Sequence, residues 1–387
     1  MSIESDVKIT YHEWFAMMAK WARFQIFPMV LILFLSAAPS AWANVFELHG
    51  VPVDVTADNA AQARRQALAR GQDEAFRRLL ERLTLKEDAE KLPEPGSLVV
   101  TEFVSDFSVS NEKTSTVRYL ADLSVRFKAA PVRSLLRELG IPFAETTSKP
   151  ILILPVFQGL TGTLLWEDEN TWREAWNLRR GGSGLVRIAL PLADLADISA
   201  LHVQHAVSGN LDRLTGLAVR YSAGDTVVSY ARIGPDPKSG GRRLEISNTR
   251  YSSRQDPETD LVALPLTSGE NVEAMMLRAV DAVVAKLEED WKYDNLLDHD
   301  GEWVSAVTVP ITSLKDWLNV KKRLGSVSVI RRMEMVLLSL EEVRINLHHV
   351  GAPEQLQTAL GQTDLAMVRE DDEWVLYSAG LAPPGKS

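Results

Sequence analysis

The order of apolar and polar residues predicts three consecutive segments of strands and helices, which follow an apolar N-terminal stretch. In the first segment, residues 44–145, Val45–Val55 alternates as a half-buried strand does. Small or apolar residues then recur at three- and four-residue steps over Ala60–Leu83, as on one face of a helix packed closely against a sheet. Two more strands and a short helix complete this α+β unit: Phe103–Val109, Thr116–Phe127 and Pro131–Leu139.

The second segment, residues 146–295, begins with the continuous apolar stretch Ile151–Phe157, which is typical of a strand buried on both faces. A long helix over Val272–Trp291 closes it. Between them the pattern predicts two helices, Asn170–Leu178 and Leu211–Ala218. It also predicts four strands: Leu185–Leu190, Thr226–Ile233, Arg242–Tyr251 and Leu261–Leu266. Helices that alternate with strands, followed by strands that pair locally, favour a mixed α/β unit.

The third segment, residues 296–380, begins with a polar interdomain turn at Asp298–Gly301, and in it Ser313 is placed to cap a helix that ends at Leu324. The other predicted elements are Trp303–Val309, Val327–Leu338, Val343–Val350, Pro353–Leu360, Leu365–Val368 and Glu373–Tyr377. Their β-α-β-β-α-β order is the split β-α-β, or ferredoxin-like, plan. The expected fold class is therefore α+β, with three small mixed α/β units in series and a disordered tail at 381–387.

The N-terminal stretch predicts export from the cytoplasm. Ile26–Ala43 is mostly apolar, follows two basic residues and ends in small residues, so residues 1–43 have the layout of a signal peptide. The apolar core is shorter than the about 20 residues of a membrane-spanning helix, and an uncleaved inner-membrane anchor is the alternative. A start at Met17 or Met18 in place of Met1 would give the leader a more basic beginning. We therefore expect a periplasmic protein.

Composition narrows the class of protein further. The 387-residue chain has no cysteine, which excludes disulfides, thiolate catalysis, cysteine-bound metals and a lipoprotein anchor. A net charge of −10 argues against a dedicated nucleic-acid binder, which normally presents a basic surface. No cofactor is expected, since no cofactor-binding motif occurs.

Three tryptophans form one aromatic cluster, and they are the candidate ligand surface. Trp172 and Trp176 are four residues apart on a predicted helix and share one face of it, and Trp166 precedes them. If exposed, they would offer a stacking surface to an envelope glycan, a lipid or a peptide. If buried, they would pack against Ile151–Phe157, which an apolar stripe at helical spacing favours.

No residue pattern indicates a catalytic or metal site. The histidines match no known ligand spacing. The glycines of Gly181–Gly184 lead into a strand and lack a phosphate-binding lysine, so they predict a flexible loop. Acidic pairs such as Glu167/Glu169 and Asp371/Asp372 would be available to a carboxylate-dependent hydrolase, but sequence alone gives neither their separation nor their pKa values.

The first long helix has a basic side, which is a second candidate surface. Its arginines are Arg64, Arg65, Arg70, Arg77, Arg78 and Arg82. Such a side would suit anionic lipid head groups, and thus a peripheral membrane contact. Glu74 and Glu81 lie within about one turn of Arg77 and Arg78, so pairing inside the helix explains much of it.

Several stretches resemble one protein family. They are the strand and small-residue helix of Val45–Leu83, Asp316-Trp317 with Lys322-Arg323-Leu324, Val350-Gly351 with Glu354-Gln355-Leu356, and Glu373-Trp374-Val375-Leu376. Together they resemble a proteobacterial family of exported proteins, domain of unknown function 2066, over essentially all of the chain after the leader. The resemblance implies an envelope protein and supplies no catalytic residue.

These observations favour a non-enzymatic periplasmic interaction or assembly protein with a protein partner in the cell envelope. Small mixed units in series offer sheet edges and helix grooves to such partners. Two alternatives stay open. One is a binder of envelope glycan or lipid through the tryptophan cluster, and the other is a carboxylate-dependent hydrolase.

Overall fold

A computed structural model describes residues 44–378, apart from residues 95, 180, 183, 238, 253–255 and 298–300. The expected leader, most of the turn at Asp298–Gly301 and the expected disordered tail lie outside the described residues. Within the described part of the chain, no helix is both long and apolar enough to cross a membrane. Its helices and sheets are those of an α+β protein, which confirms the predicted fold class.

The first sheet has three antiparallel strands in the order β1-β3-β2, and a long helix covers one face. Its elements are β1 Glu47–Thr56, α1 Ala60–Leu83, β2 Val104–Thr114, β3 Arg118–Phe127 and α2 Ala129–Glu138. Helix α1 lies close to the sheet because small residues line its inner face. A Cβ atom on Gly71 would be 2.7 Å from Val53 Cγ1 and 2.8 Å from Leu123 Cδ2. Strand β2 continues to Thr114, beyond the predicted end at Val109.

The second sheet has the order β5-β4-β7-β8-β9, with β6 beside β4. Its strands are β4 Ile151–Gln158, β5 Thr163–Leu164, β6 Ile188–Ala189, β7 Asp225–Pro235, β8 Arg242–Tyr251 and β9 Glu258–Pro265. Its helices are α3 Thr171–Leu178, α4 Leu195–Ala200, α5 Val203–Val207, α6 Leu211–Arg220 and α7 Val272–Asp294. Helices α3 and α7 cover one face, and α4 to α6 cover the other. Strand β4 lies between these two layers, which is why its apolar residues are continuous.

Two short helices of this unit, α4 and α5, were not predicted, because neither is long enough to show two turns of apolar periodicity. Polar contacts hold α4 in place. Asp194 caps it, and the hydrogen bond from Arg220 lowers the pKa of Asp194 to about 2. The buried Asp197 carboxylate accepts hydrogen bonds from Arg220 at 2.7 Å and from the Tyr221 hydroxyl at 2.6 Å. The predicted strand Leu185–Leu190 is reduced to the two residues of β6.

The third sheet has five strands in the order β11-β12-β10-β14-β13. Its elements are β10 Glu302–Pro310, α8 Leu314–Leu324, β11 Ile330–Leu338, β12 Glu342–Val350, α9 Pro353–Gly361, β13 Leu365–Glu370 and β14 Glu373–Ser378. Ser313 caps α8 as predicted, since its hydroxyl accepts from the Asp316 N–H. Strand β14 pairs in parallel with β10 and lies between β10 and β13. This inserted strand alters the four-stranded ferredoxin-like plan that the element order predicted.

Buried polar contacts join the end of α7 to the first sheet's unit. The Trp291 indole N–H donates to the Thr146 carbonyl at 2.6 Å, at the point where the chain leaves the first unit. The Lys292 ammonium is buried and donates to the Thr84 carbonyl at 2.5 Å, at the C-terminal end of α1. These donors occupy backbone carbonyls that would otherwise be buried without a partner.

A buried carboxylate joins the third sheet to the same region. Glu145 is fully buried, and its two oxygens each accept from the Arg133 guanidinium of α2 at 2.7 Å. Arg331 of β11 approaches the same carboxylate at 3.6 Å. An electrostatic contact between Arg331 and Glu145 therefore holds β11 against the end of the first unit.

Candidate functional site at the edge of the third sheet

The predicted ligand surface at the tryptophans is wrong for two of its three residues. Trp172 and Trp176 are 0% and 1% exposed and lie in the core between α7 and the second sheet. Their rings meet edge to face, with centroids 5.8 Å apart, and the Trp172 indole N–H donates to the Ser229 carbonyl at 3.1 Å. A stacking surface needs an exposed ring face, and α7 covers both rings.

Trp166 lies apart from the other two tryptophans. It is partly buried against the apolar cluster beneath α4 to α6, on the opposite face of the sheet. Its indole N–H donates to the Leu201 carbonyl at 2.7 Å. The structure therefore does not bring the three tryptophans together.

The acidic residues named as candidates take part in local backbone structure. The Glu167 carboxylate accepts from the N–H groups of Leu165 and Trp166. Asp371 and Asp372 form the tight turn between β13 and β14, with φ values of 46° and 71°. Across the described ranges, no three histidine, aspartate or glutamate side chains converge so as to hold a metal ion.

A serine and a histidine meet inside the third unit. The Ser305 hydroxyl and His349 Nε2 are 2.9 Å apart, but the side chains are 5% and 0% exposed. Burial lowers the pKa of His349. A substrate has no access to this pair, so we interpret it as a core contact.

The glycine cluster is more constrained than the flexible loop that was predicted. A Cβ atom on Gly184 would overlap the Glu288 carboxylate, which accepts from the N–H groups of Leu185 and Val186 at 2.9 and 3.0 Å. Burial raises the pKa of Glu288. Gly181, in contrast, has open space where a Cβ atom would lie. Gly184 thus has to lack a side chain, because the Glu288 carboxylate occupies that space.

Most arginines of α1 are engaged within the first unit. Arg77 and Arg78 pair with Glu74 at 2.8 and 2.7 Å. Arg82 donates to backbone carbonyls, and burial lowers its pKa to about 10. Arg64 pairs with Glu112 at 3.3 Å. Arg65 and Arg70 form no ion pair among the described residues, so the basic side is reduced but still available to a membrane surface.

Exposed apolar side chains mark one edge of the third sheet. Strand β11 is the outermost strand of the third sheet, so one of its edges has no neighbouring strand among the described residues. Its first half carries Arg331, Arg332 and Glu334, and charged residues commonly protect such an edge. The second half carries no charge, and its exposed residues are Met335 (50%), Val336 (61%), Leu337 (44%) and Leu338 (50%).

Two of these residues point to the face of the sheet that the helices cover. Met335 pairs with Ile345 and Leu338 pairs with Val343, and both partners are buried beneath the helices. Residues directly opposite each other in an antiparallel pair point to the same face. Met335 and Leu338 therefore lie on the helix side, although each is half exposed because β11 is at the edge. Val336 lies at a break in the register with β12.

Helix α8 forms the other wall. Leu314 and Leu318, which are 61% and 54% exposed, are four residues apart and so share one side of it. Arg323 donates to the Asp364 carbonyl at 2.9 Å, next to β13 and therefore toward the opposite end of the sheet. Leu314 and Arg323 are about two and a half helical turns apart and project from opposite sides. The side with Leu314 and Leu318 thus faces the β11 edge.

We infer a groove between α8 and the outer edge of β11, and we call it the edge groove. Its walls are Leu314 and Leu318 on α8 and Met335 and Leu338 on β11, and its rim includes Val336, Leu337 and the exposed Leu340. The Ile311 N–H donates to the Glu341 carbonyl at 2.9 Å, which places the β11–β12 turn beside the start of α8. Leu314 is therefore level with Leu338, and Leu318 lies one turn further along, toward Met335.

Sequence reasoning missed this groove, although a signal was present. Met335–Leu338 is a continuous apolar stretch at the end of the predicted strand Val327–Leu338, and such a stretch is typical of a buried strand. The stretch is not alternating, as it would be if one face were solvated. Only the position of β11 in the sheet shows that these side chains lack a cover.

Comparisons with known proteins bear on the first unit alone. Residues 43–145 match the model of a family described as Domain of unknown function (DUF8605). This is a different family from domain of unknown function 2066, so the resemblance seen in the sequence was wrong, and the proteobacterial origin that it implied has no support. The resemblance rested on packing patterns, which unrelated α+β proteins share. No curated protein and no solved structure matches the chain.

Proposed function

We propose that this protein is a non-enzymatic interaction or assembly protein of the cell envelope, and that the edge groove binds its polypeptide partner. One observation carries the proposal. Exposed apolar side chains lie on α8 (Leu314 and Leu318) and on β11 (Met335 and Leu338), and β11 is the edge strand of the third sheet. A partner strand would bond to the free backbone groups of β11, and its alternate side chains would enter the edge groove.

The cellular location of the protein is part of the proposal and rests on its sequence. The signal-like layout of residues 1–43 supports export to the periplasm, with an inner-membrane anchor as the alternative. A partner is therefore expected in the periplasm or at the inner membrane.

Photo-cross-linking in living cells tests the groove directly. A photoreactive residue replaces Val336, which is 61% exposed at the rim. The matched control replaces Leu261, which is 80% exposed on β9, an edge strand of the second sheet. We expect an adduct with a polypeptide of the envelope at Val336, identified by mass spectrometry, and none at Leu261.

A second change separates specific binding from chance contact. Leu318→Asp places a charge in the apolar wall and should abolish the adduct at Val336, because a charge is costly to bury without a partner. The proposal fails if no polypeptide is attached at Val336 under several growth conditions. It also fails if the adduct is equally abundant with Leu318→Asp.

A further inference from the structure

The outer side of α8 is basic, and its lysines have no counter-charge. Lys315, Lys321 and Lys322 are exposed, and each lies three or four residues from Leu318 on the helix surface. None of these lysines forms an ion pair or a side-chain hydrogen bond within the part of the chain that the structure describes. The only acidic residue of α8, Asp316, is occupied at the cap, where its carboxylate accepts from two hydroxyl groups at 2.7 and 2.9 Å.

Lys321 extends the side of α8 that borders the edge groove. It follows Leu314 by seven residues and Leu318 by three, so the three side chains share one side of the helix. Lys321 is about 10 Å along the helix axis from Leu314, and Met335 is about 10 Å along β11 from Leu338. Because Leu314 is level with Leu338, Lys321 is level with about Met335. The α8 wall of the groove therefore changes from apolar to basic toward Met335.

No carboxylate of β11 neutralises Lys321. The single acidic residue of this strand is Glu334, and it points to the opposite face of the sheet from Met335, because neighbouring residues of a strand alternate. The Glu334 carboxylate lies 3.9 Å from the Arg332 guanidinium and 3.5 Å from His348 Nε2. The positive charge in the α8 wall is therefore available to a ligand.

The stability of the helix explains only part of this charge. Lys321 and Lys322 lie in the last turn of α8, where a positive charge interacts favourably with the helix dipole. Lys315 lies in the first turn, where the dipole disfavours a positive charge, and it has no ion partner among the described residues. An anionic ligand would stabilise Lys315 as well as the two lysines of the last turn.

We propose that the polypeptide bound at the edge groove is acidic; this rests on the proposed function. It is an extended segment whose helix-facing side carries apolar residues beside Leu314 and Leu318 and an aspartate or glutamate beside Lys321. That carboxylate accepts a charge-assisted hydrogen bond from the Lys321 ammonium, and the nearby Lys315 and Lys322 attract it at longer range. The whole chain has a net charge of −10, so a preference for an acidic partner has to come from this local charge.

An anionic membrane surface would also suit lysines beside exposed leucines. The free edge of β11 favours a polypeptide, because its backbone N–H and C=O groups need hydrogen-bond partners and lipid tails offer none. A strand added to the sheet supplies these partners along the edge. The membrane is therefore the alternative that the experiment has to separate from a polypeptide.

Photo-cross-linking at Val336 in cells tests the charge of the partner. Lys321→Glu should lower the abundance of the adduct about fivefold, because an attractive contact becomes a repulsive one. The matched control, Lys113→Glu, makes the same change in net charge at an exposed lysine of β2 in the first unit and should leave the adduct unchanged. Both positions are exposed, so thermal unfolding of the two purified variants should match that of the unaltered protein.

The attached segment itself gives a second readout. Its sequence, determined by mass spectrometry, should contain an aspartate or glutamate beside apolar residues at alternate positions. Replacement of this acidic residue by lysine in the partner should lower the adduct with the unaltered protein and restore it with Lys321→Glu. Rescue shows that the two charges meet, since independent effects would add.

Flotation of the purified full-length protein with lipid vesicles tests the alternative. The vesicles consist of phosphatidylcholine with or without phosphatidylglycerol, which is anionic. We expect the unaltered protein, Lys321→Glu and Lys113→Glu to bind the anionic vesicles to the same extent. A loss of binding with Lys321→Glu alone would identify lipid head groups as the anion and overturn the inference.

The remaining outcomes separate this inference from the proposed function. An adduct that is equally abundant with Lys321→Glu overturns the acidic partner and leaves the edge groove as a polypeptide-binding site. An attached segment without an acidic residue does the same. An equal loss with Lys113→Glu also overturns the inference, because net charge then accounts for the effect. Absence of any adduct at Val336 in the unaltered protein removes the proposed function, and the inference falls with it.

Discussion

Replacement of the buried Glu145 should destabilise the protein more than any ordinary surface substitution. Its carboxylate is 0% exposed and accepts two hydrogen bonds of 2.7 Å from Arg133, with Arg331 at 3.6 Å. Glu145→Gln keeps the size of the side chain but removes the negative charge and presents N–H donors to a guanidinium that can only donate. Two arginines, each about four-fifths buried, would then lack their counter-charge.

The magnitude follows from these contacts. Removal of one partner from a buried ion pair typically costs about 3–5 kcal/mol. Both arginine side chains keep some access to water, at 20% and 22% exposure, so we expect a loss of about 2–4 kcal/mol in the free energy of unfolding. That is a large share of the about 5–15 kcal/mol that holds a typical domain folded.

Urea denaturation followed by circular dichroism measures this loss, and the chain offers a matched control. Asp54 also accepts two hydrogen bonds from one arginine, Arg118, but both side chains are about half exposed. Asp54→Asn should therefore change the free energy of unfolding far less, because solvent screens the pair. The reasoning is refuted if Glu145→Gln costs under about 1 kcal/mol, or no more than Asp54→Asn.

Three further outcomes are expected. Gly184→Ala should lower the free energy of unfolding by about 1–3 kcal/mol, because the added methyl group displaces the hydrogen-bonded Glu288 carboxylate. Gly181→Ala has space for the methyl group and should not lower it. Equal urea midpoints for the two variants would contradict this. Trp176→Ala should cost about 3–5 kcal/mol in the same assay, and Trp303→Ala, at a half-exposed residue, much less; similar losses would place Trp176 outside the core. Burial lowers the pKa of His349, so the unfolded chain protonates at a higher pH than the folded protein does. The free energy of unfolding should therefore fall as the pH drops below about 6.5, by at most about 1.4 kcal/mol per pH unit. His349→Gln should flatten that slope, and an unchanged pH profile would refute the assignment.

Elements whose signals are local could be predicted from the sequence. The strand over Ile151–Phe157 followed from a continuous apolar run, and the start of α8 followed from Ser313 as a capping residue. A capping hydroxyl and an N–H three residues later meet in any helix that begins there, whatever surrounds it. The α+β class followed from the same local patterns.

The order of strands in the third sheet was decided by the tertiary structure. The sequence indicated that Glu373–Tyr377 is a strand, but not that β14 would pair in parallel with β10. A short turn at Asp371 and Asp372 fixes β14 beside β13, but it does not determine on which side of β13 the strand lies. Pairing with β10 brings Trp374 against the core of this unit, a gain that depends on residues far away in the chain.

The candidate site shows most clearly that local sequence patterns do not predict burial. Trp172 and Trp176 on α3, and Leu314 and Leu318 on α8, are each apolar pairs at a spacing of four residues, so their local patterns predict the same kind of apolar helix side. Helix α7 covers the tryptophans, and the edge strand β11 leaves the leucines open. The sequence alone determined that both pairs share a helix side. Which pair is core and which is surface depends on tertiary packing, because burial is set by segments that lie far apart in the chain.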